Sequence, residues 1–432
     1  MGDHLWREPF AKGELHFVNA PDRNCNDVRK RPEGCEQQMI HCQKKASETP
    51  LFSVVIPAHN NREKLRLTLE CISQTDMDMA DLEVVVVDDG SNDGTYEAFI
   101  QQKYPFHFKI FARAFGGQSA ATNEAIRQAT GRYLLSSAQD ILFHKNIFKE
   151  HQRFHQKYSD QEIVVLGALP YAQQSEVTPF MFYLVNGGWQ FAYYSIKDPL
   201  NVPPQFLYAP NFSIRREVLQ RVGLFDEKFP FGSQDTDLGL RLAYAGVKIV
   251  YNPHAIGYHN HPIELANFLR RQEMAGASLV LLHEKHPLGE DLLALWDQVI
   301  LNYLTFSATE NDRCLDLIGR LETLYQKRKV DYESLWTRFF SHNIPLSNFS
   351  EADQKAIHLI SVLFKAYDQI LRAYWAKGFL KEALQCYGKT KVEEYLRGRL
   401  VKHQLSIQAR RNATLRLRYH SLDVPLTCRD YL

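Results

Sequence analysis

Residues 82–95, LEVVVVDDGSNDGT, decide the fold. Four valines in a row, Val84 to Val87, follow Leu82 and stop at Asp88 and Asp89. Gly90 and the Ser-Asn-Asp-Gly stretch behind it are turn formers, so the apolar run ends abruptly in acids and glycines. A β-branched run without polar alternation reads as a strand buried on both faces. Polar groups at its carboxyl end then lie where open α/β sheets bind their ligands.

Working outward, the same unit repeats. Upstream, FSVVIPAHN (52–60) is a short apolar run closed by Pro57, and REKLRLTLECISQT (62–75) places Leu65, Leu69 and Ile72 at helical spacing. Downstream come a helix near 95–103, a strand FKIFAR (108–113), a glycine turn FGGQS, a helix AATNEAIRQAT (120–130) and a strand RYLLSSA (132–138). Strands alternating with amphipathic helices predict a mostly parallel, Rossmann-like α/β sheet flanked by helices. No G-x-G-x-x-G follows the first strand, which argues against a dinucleotide oxidoreductase.

After about residue 286 the strand signals vanish. LLALWDQVILNYLTFS (292–307), RCLDLIGRLETLYQKRK (313–329), EADQKAIHLISVLFKAYDQILRAYWAKG (351–378) and FLKEALQCYGKTKVEEYLRGRL (379–400) are helical in period. AKGFLKEALQCYG is tetratricopeptide-like in composition, but no 34-residue repeat accompanies it. Residues 1–50 are polar and aperiodic. The expected division is an irregular arm over 1–50, an α/β domain over 51–285 and an all-helical domain over 286–432.

With 51 Lys and Arg against 50 Asp and Glu, the chain offers no global charge for nucleic acid. The local basic excess is at 389–418, nine Lys or Arg against two Glu, which fits a solvated helical face, an anionic membrane surface or an acidic partner. Seven scattered cysteines without a C-x-x-C pair argue against a disulfide scaffold and for a reducing compartment. Cys25, Cys35 and Cys42 match no common zinc spacing. There is no signal-like apolar core and no uncharged run long enough to span a bilayer. The expectation is a cytoplasmic protein, soluble or peripheral at the cytoplasmic membrane. The helical domain offers a surface for membrane contact or a homodimer.

Acids and histidines gather in four strand-end segments: VVVVDDGSNDGT, SSAQDI, FPFGSQDTDLGLRL and AIGYHNH. Each alone is a weak signal, since an Asp in a turn commonly bonds its own backbone. Their order, together with VVIPAHNN, ATNEAI before ATGRYLLSSAQD, and NFSIRREVLQRVGLFDEKFPFGSQDTDLGLRLAYAG, resembles the family 2 glycosyltransferases of GT-A fold over roughly residues 52–285.

The resemblance implies a nucleoside diphosphate sugar donor. Asp89 matches the residue that bonds the nucleotide base, and Pro57, Ala58 and His59 match the wall beside it. A carboxylate accepting the imide N–H of uracil makes UDP the implied nucleotide. The family's last metal-binding acid falls nine residues after a glycine, which here places Asp140 after Gly131; the first acid of that motif is replaced, leaving Ala138-Gln139-Asp140. Asp140 is then the implied metal ligand, with Gln139 or Ser137 toward the ribose. His259, with His261 as the alternative, is the implied second ligand for Mn²⁺ or Mg²⁺, the imidazole favouring manganese.

Catalysis is implied at Asp235, the second position of the family's Glu-Asp element, here Gln234-Asp235, acting as general base in a single, inverting displacement. Asp237 reads as a helix cap. Asn211 is expected near the donor sugar, and Trp189 and Gln234 toward a saccharide, lipid-linked or protein acceptor. Arg270 and Arg271 fit either the diphosphate or a helix flank. Because Ala138 and Gln234 stand where acids are customary, a nucleotide-sugar-binding scaffold without turnover is the alternative.

Overall fold

A computed structural model describes residues 49–172, 177–229, 231–286, 308–327, 331–336, 338–339, 344–390 and 392. The arm before Thr49, its three cysteines, the helix expected over 292–307 and nearly all of the basic stretch 389–418 lie outside the described residues.

An eight-stranded sheet runs in the order β3-β2-β1-β4-β7-β6-β8-β5. Its strands are β1 (Phe52–Ala58), β2 (Leu82–Asp89), β3 (His107–Arg113), β4 (Tyr133–Ser136), β5 (Ile141–Phe143), β6 (Ile163–Ala168), β7 (Phe212–Arg215) and β8 (Lys248–His259). The first four are parallel, β7 runs antiparallel to both β4 and β6, β6 and β8 are parallel, and β5 pairs antiparallel with β8. This is the mostly parallel sheet expected of the chain.

Side-chain alternation explains why the valine run needs cover on both sides. Val54, Ile56, Val84 and Val86 pack with Leu65, Leu69 and Ile72 of α1 (Arg62–Ser73). Phe148 of α4 (Ile147–Lys157), which follows α2 (Thr95–Phe99) and α3 (Gln118–Gln128) in the chain, joins that layer. Val55, Val85 and Val87 face the other way, against Ala121, Ala125 and Ile126 of α3. Each fully buried Val, Leu or Phe side chain contributes roughly 1.5–3 kcal/mol, so two filled faces specify the register strongly.

Gly131 shows how tightly the strand ends fit. A Cβ there would stand 2.6 Å from the backbone nitrogen of Ser53. Its own N–H donates to Ser53 Oγ at 2.8 Å, and Ser53 in turn donates to the buried Glu83. Only glycine lets β4 enter beside β1 here.

The remaining helices are α5 (Pro179–Asn186), α6 (Arg216–Val222), α7 (Gln234–Tyr244), α8 (Leu265–Lys285), α9 (Ala308–Lys327), α10 (Tyr332–Trp336) and α11 (Glu351–Tyr387). Phe180, Met181 and Leu184 of α5, Phe268 and Leu269 of α8, Ile318 and Leu321 of α9, and Leu363, Tyr367 and Ile370 of α11 share one core. The helices beyond residue 308 therefore pack on elements that precede residue 286.

The sequence breaks its helical pattern at Gly378, yet α11 runs straight through it. A Cβ on Gly378 would lie 1.7 Å from the Glu273 carbonyl oxygen, and one on Gly276 would lie 1.9 Å from that of Trp375. The glycines let the α8 and α11 backbones touch, which outweighs the helix propensity they cost. No helix among the described residues is long and apolar enough to cross a membrane.

Candidate functional site

The carboxyl ends of β1, β2, β4 and β8 gather most of the residues singled out by sequence. At the end of β2, Asp88 accepts hydrogen bonds from Ser91 and forms the turn. Asp89, 3% exposed, accepts from the backbone N–H groups of Gly116 at 2.9 Å and Gly117 at 2.8 Å, with Arg113 Nε 3.5 Å away. The acid thus holds the FGG loop against the β2 end.

His59, just past β1, donates from Nδ1 to the Asp89 carbonyl at 2.8 Å. Its backbone N–H donates to Gln139 Oε1, and Gln139 Nε2 donates back to the His59 carbonyl, both at 3.1 Å. These bonds bring Pro57, Ala58, His59, Asp89 and Gln139 to one edge, with the Phe115 ring 5.0 Å from that of His59. Asn60 and Asn61 take left-handed backbone, φ 54° and 59°, which turns the chain away before α1 begins.

Asp140 follows directly. Its Oδ2 is 3.1 Å from His261 Nδ1 and 4.0 Å from His259 Nε2. Antiparallel pairing of Ile141 with His259 brings the two segments together. Burial alone would raise the Asp140 pKa, but the hydrogen bond from His261 and the charges of His259, His261 and Lys64 hold it below the ordinary carboxylate value. Burial pushes His259 down to about 4, against the pull of Asp140, so its imidazole is neutral at pH 7. His259 Nδ1 is buried without a hydrogen-bond partner.

A carboxylate oxygen and a neutral imidazole nitrogen facing each other suit Mn²⁺ or Mg²⁺ as a partial ligand set. Among the described residues no three His, Cys, Asp or Glu side chains form a metal-holding group. The donor set therefore fits an ion that draws further oxygens from a bound ligand and from water.

The second acid centre is the start of α7. Asp235 Oδ2 accepts from the Ala209 N–H at 3.0 Å, whereas Oδ1 is buried and has no partner. Burial raises its pKa to about 7, the Ala209 bond opposing. Gln234, next to it, is 7% exposed and its Oε1 also lacks a partner. The sequence places Asp237 as a cap, but the helix is preceded by Ser233 and Asp237 points inward. It meets Arg241 Nε at 3.0 Å, Lys285 Nζ at 2.8 Å and His286 Nε2 at 2.8 Å.

Asn211 and Trp189 are placed differently from the rest. Asn211 is 2% exposed, donates to the carbonyls of Ala168 and Ala255, both at 2.9 Å, and its Oδ1 lies 3.0 Å from His151 Nε2. Ser213 links this network to His155. Burial lowers His151 to about 4 and His155 to about 3, so both are neutral struts. Trp189 donates from Nε1 to the Tyr183 hydroxyl at 2.9 Å, and Arg372 of α11 lies over its ring.

A cleft of about 420 Å³ lined by Phe111, Arg113, Glu124, Arg127 and Glu227 has none of Asp140, Asp235 or His259 in its walls. One neighbour of Asp140 went unnoticed in the sequence. Lys64, in the first turn of α1, has Nζ 2.7 Å from His261 Nδ1. A lysine there reads as a solvated helix residue, and only the fold, joining positions 197 apart, brings it to the site.

Comparison with known proteins bears on what this edge does. The family described as Glycosyl transferase family 2 matches residues 53–223, and Glycosyl transferase family group 2 matches 195–315. The uncharacterized glycosyltransferase YfnE of Bacillus subtilis (strain 168) is 26% identical over 49% of this chain and 65% of its own length. The chondroitin synthase of Pasteurella multocida (strain Pm70) is 25% identical over 55% of this chain and 27% of its own. The chain thus covers less than two thirds of either relative.

Among solved structures, the mannosyltransferase PcManGT from Pyrobaculum calidifontis, in complex with GDP-Man and Mn²⁺, aligns over 79% of this chain and 89% of its own at TM-score 0.46 and 16% identity. With the strand-end motifs in order on a mostly parallel α/β sheet, residues 53–223 match the family 2 glycosyltransferases.

Proposed function

We propose that the chain transfers a sugar from a nucleoside diphosphate sugar, UDP-linked, to a hydroxyl of a saccharide, lipid-linked or protein-linked acceptor, with inversion at the anomeric carbon. The observation that carries this reading is Asp235. One oxygen is anchored by Ala209, the other is buried without a partner, and the pKa near 7 suits a group that must take a proton at neutral pH.

In the displacement the acceptor hydroxyl gives its proton to Asp235 Oδ1 as its oxygen bonds the anomeric carbon. The bond from that carbon to the diphosphate oxygen breaks, and the nucleoside diphosphate leaves with the electron pair. Among the described residues no second unpaired carboxylate is found with Asp235, which favours single displacement. Gln234 Oε1 is available to an acceptor hydroxyl, and Trp189 forms the wall where the acceptor side meets the helical layer.

Asp89, with Pro57, Ala58 and His59, supports a base pocket at the β1–β2 ends, and Gln139 bridges toward Asp140. Asn211 supports the donor side from behind, fixing the segment that offers the Ala209 N–H. Asp140 and His259 would hold Mn²⁺ or Mg²⁺, which when bound supplies Lewis-acid stabilisation of the leaving diphosphate.

The test is turnover of a panel of nucleoside diphosphate sugars on saccharide, lipid-linked and peptide acceptors, with Mn²⁺, Mg²⁺ or chelator. Wild type should turn over one donor, and Asp235→Asn should bind it without turnover. Donor binding with no turnover in any acceptor mixture would instead make the chain a nucleotide-sugar-binding scaffold. That reading draws on Ala138 and Gln234 in place of acids.

A further inference from the structure

A histidine that ligates a metal through one ring nitrogen is normally held in direction by a hydrogen bond from the other, to a carbonyl or a carboxylate. His259 lacks that bond: Nε2 lies 4.0 Å from Asp140 Oδ2, while Nδ1 is buried without a partner. Its neighbour His261 differs, with Nδ1 3.1 Å from Asp140 Oδ2 and 2.7 Å from Lys64 Nζ. The His259 backbone is fixed, since its N–H donates to the Pro170 carbonyl at 2.8 Å and its carbonyl accepts from the Ala172 N–H at 3.1 Å. The imidazole is surrounded by rings. Phe191 stands nearly perpendicular to it, 86° at 5.6 Å between centroids, while Tyr171 and His261 lie closer to parallel, 26° at 6.1 Å and 22° at 5.7 Å.

Phe191 reaches that place through an uncommon backbone. Its φ is 51°, a left-handed value that a bulky residue rarely adopts. The loop around it holds the conformation. The N–H groups of Trp189 and Gln190 donate to the Leu184 carbonyl at 3.0 and 3.2 Å, and the Tyr193 N–H donates back to the Phe191 carbonyl at 2.7 Å, closing a tight turn on Ala192. The Ala192 N–H donates to the Tyr208 hydroxyl at 2.9 Å, and the Phe191 and Tyr208 rings pack at 5.3 Å and 76°. Tyr208 precedes Ala209, whose N–H holds Asp235. One ring therefore packs against His259 and, through Tyr208, against the segment that anchors the second acid. Glycine would suit this φ, but glycine carries no ring.

We propose that Phe191 is a positioning residue for the metal site: its ring, held by the left-handed backbone, stands in for the hydrogen bond that Nδ1 lacks and keeps Nε2 turned toward Asp140. An imidazole free to rotate would present its lone pair to an ion for a smaller share of the time, and would bind more weakly with the ligands themselves unchanged. The proposal rests on the glycosyltransferase reading above and gives Phe191 a part in it that no acid or histidine of the strand-end motifs carries.

Electron paramagnetic resonance of free Mn²⁺, titrated with the full chain at saturating UDP, reads the effect without turnover. Phe191→Ala should weaken Mn²⁺ binding at least about tenfold, the size usual for loss of an orienting neighbour of a ligand histidine, while Phe191→Tyr, which keeps the ring, should stay within about threefold of wild type. Uridine affinity, which involves no metal, should stay level in both. Phe191→Gly removes ring and backbone strain together. It should melt above Phe191→Ala yet bind Mn²⁺ as weakly, which separates a lost ring from a damaged fold.

Unchanged Mn²⁺ affinity in Phe191→Ala and Phe191→Gly, a loss in Phe191→Tyr as large as in Phe191→Ala, or an equal loss for uridine would overturn the assignment, as would a wild type that binds UDP but takes up no Mn²⁺. If wild type binds neither UDP nor GDP, with or without Mn²⁺, the glycosyltransferase reading itself fails, and the role of Phe191 with it.

Discussion

Two regions meet at α7, and two acids two positions apart divide them. Asp235 has one oxygen held by the Ala209 N–H and the other buried without a partner, and burial raises its pKa to about 7. Asp237, 0% exposed, faces α8 and is held below the ordinary carboxylate value: burial would raise it, but Lys285, His286 and Arg241 outweigh that. A helix turns about 100° per residue, so positions i and i+2 point to nearly opposite sides. The same residue type on one turn is therefore a poised group on one side and a structural anchor on the other. What separates them is whether each oxygen has a partner.

The sharpest way to break the contrast is at the poised acid. Asp235→Asn keeps the shape and the Ala209 contact but cannot take a proton. Turnover should fall by about 10²–10⁴-fold with donor affinity kept, as a lost general base predicts. Initial rates alongside donor titration check this; a loss below about threefold would remove Asp235 from the mechanism.

Next in size is the anchor. Asp237→Ala leaves Arg241, Lys285 and His286 facing one another without their acid, and should cost about 3 kcal/mol of stability. Lys285 retains Asp226 at 2.7 Å and Arg241 retains the Val222, Gly223 and Leu224 carbonyls, which limits the damage. Urea unfolding gives the cost. If the folded fraction also loses turnover as Asp235→Asn does, the two regions are not separate.

The helical layer supplies a third contrast. Gly378→Ala should destabilise by about 2 kcal/mol, because its Cβ would overlap the Glu273 carbonyl and overpacking outweighs the helix propensity gained. Gly319 in α9 has nothing within 4 Å, so Gly319→Ala should stabilise by roughly 0.5–1 kcal/mol. Thermal melts of the pair decide it; two shifts of the same sign would refute the backbone contact between α8 and α11.

Much of the α/β layer was legible because its signal is local. The Val84–Val87 run, the α1 heptad-like leucines and the turn acids each act within one element, and β1, β2 and β3 lie where those patterns put them. The short β5, three residues long, and its antiparallel pairing with β8 left no periodic trace. Asp237 was misread because its partners Lys285 and His286 lie 48 and 49 positions away, and first-turn acids commonly cap helices. Trp189 and Asn211 carry the residue types of sugar contacts, but nothing in the chain around them reveals Tyr183, Arg372 or His151 as neighbours.

The gentlest probe is pH, read as the difference between wild type and variant so that the titrations both share cancel. With a pKa near 7, Asp235 as base should make kcat/KM fall about tenfold per unit below pH 7 and level off above it, and Asp235→Asn should flatten that limb. Stability should move the other way. A carboxyl whose folded pKa is raised contributes stability that is full below its unfolded value near 3.8 and is lost as pH climbs through about 7. Asp235→Asn should therefore melt above wild type at pH 8, with the gap closing as pH drops toward 4. Asp237 has its pKa lowered, so its contribution is present above the ordinary carboxylate value and lost as pH falls through the folded one. In melting curves, Asp235→Asn should rise away from wild type between pH 4 and 8, whereas Asp237→Asn should lie below wild type by a constant gap over that range that closes only below about pH 4; an Asp235→Asn curve parallel to wild type would mean that the two oxygens of Asp235 are as well satisfied as those of Asp237.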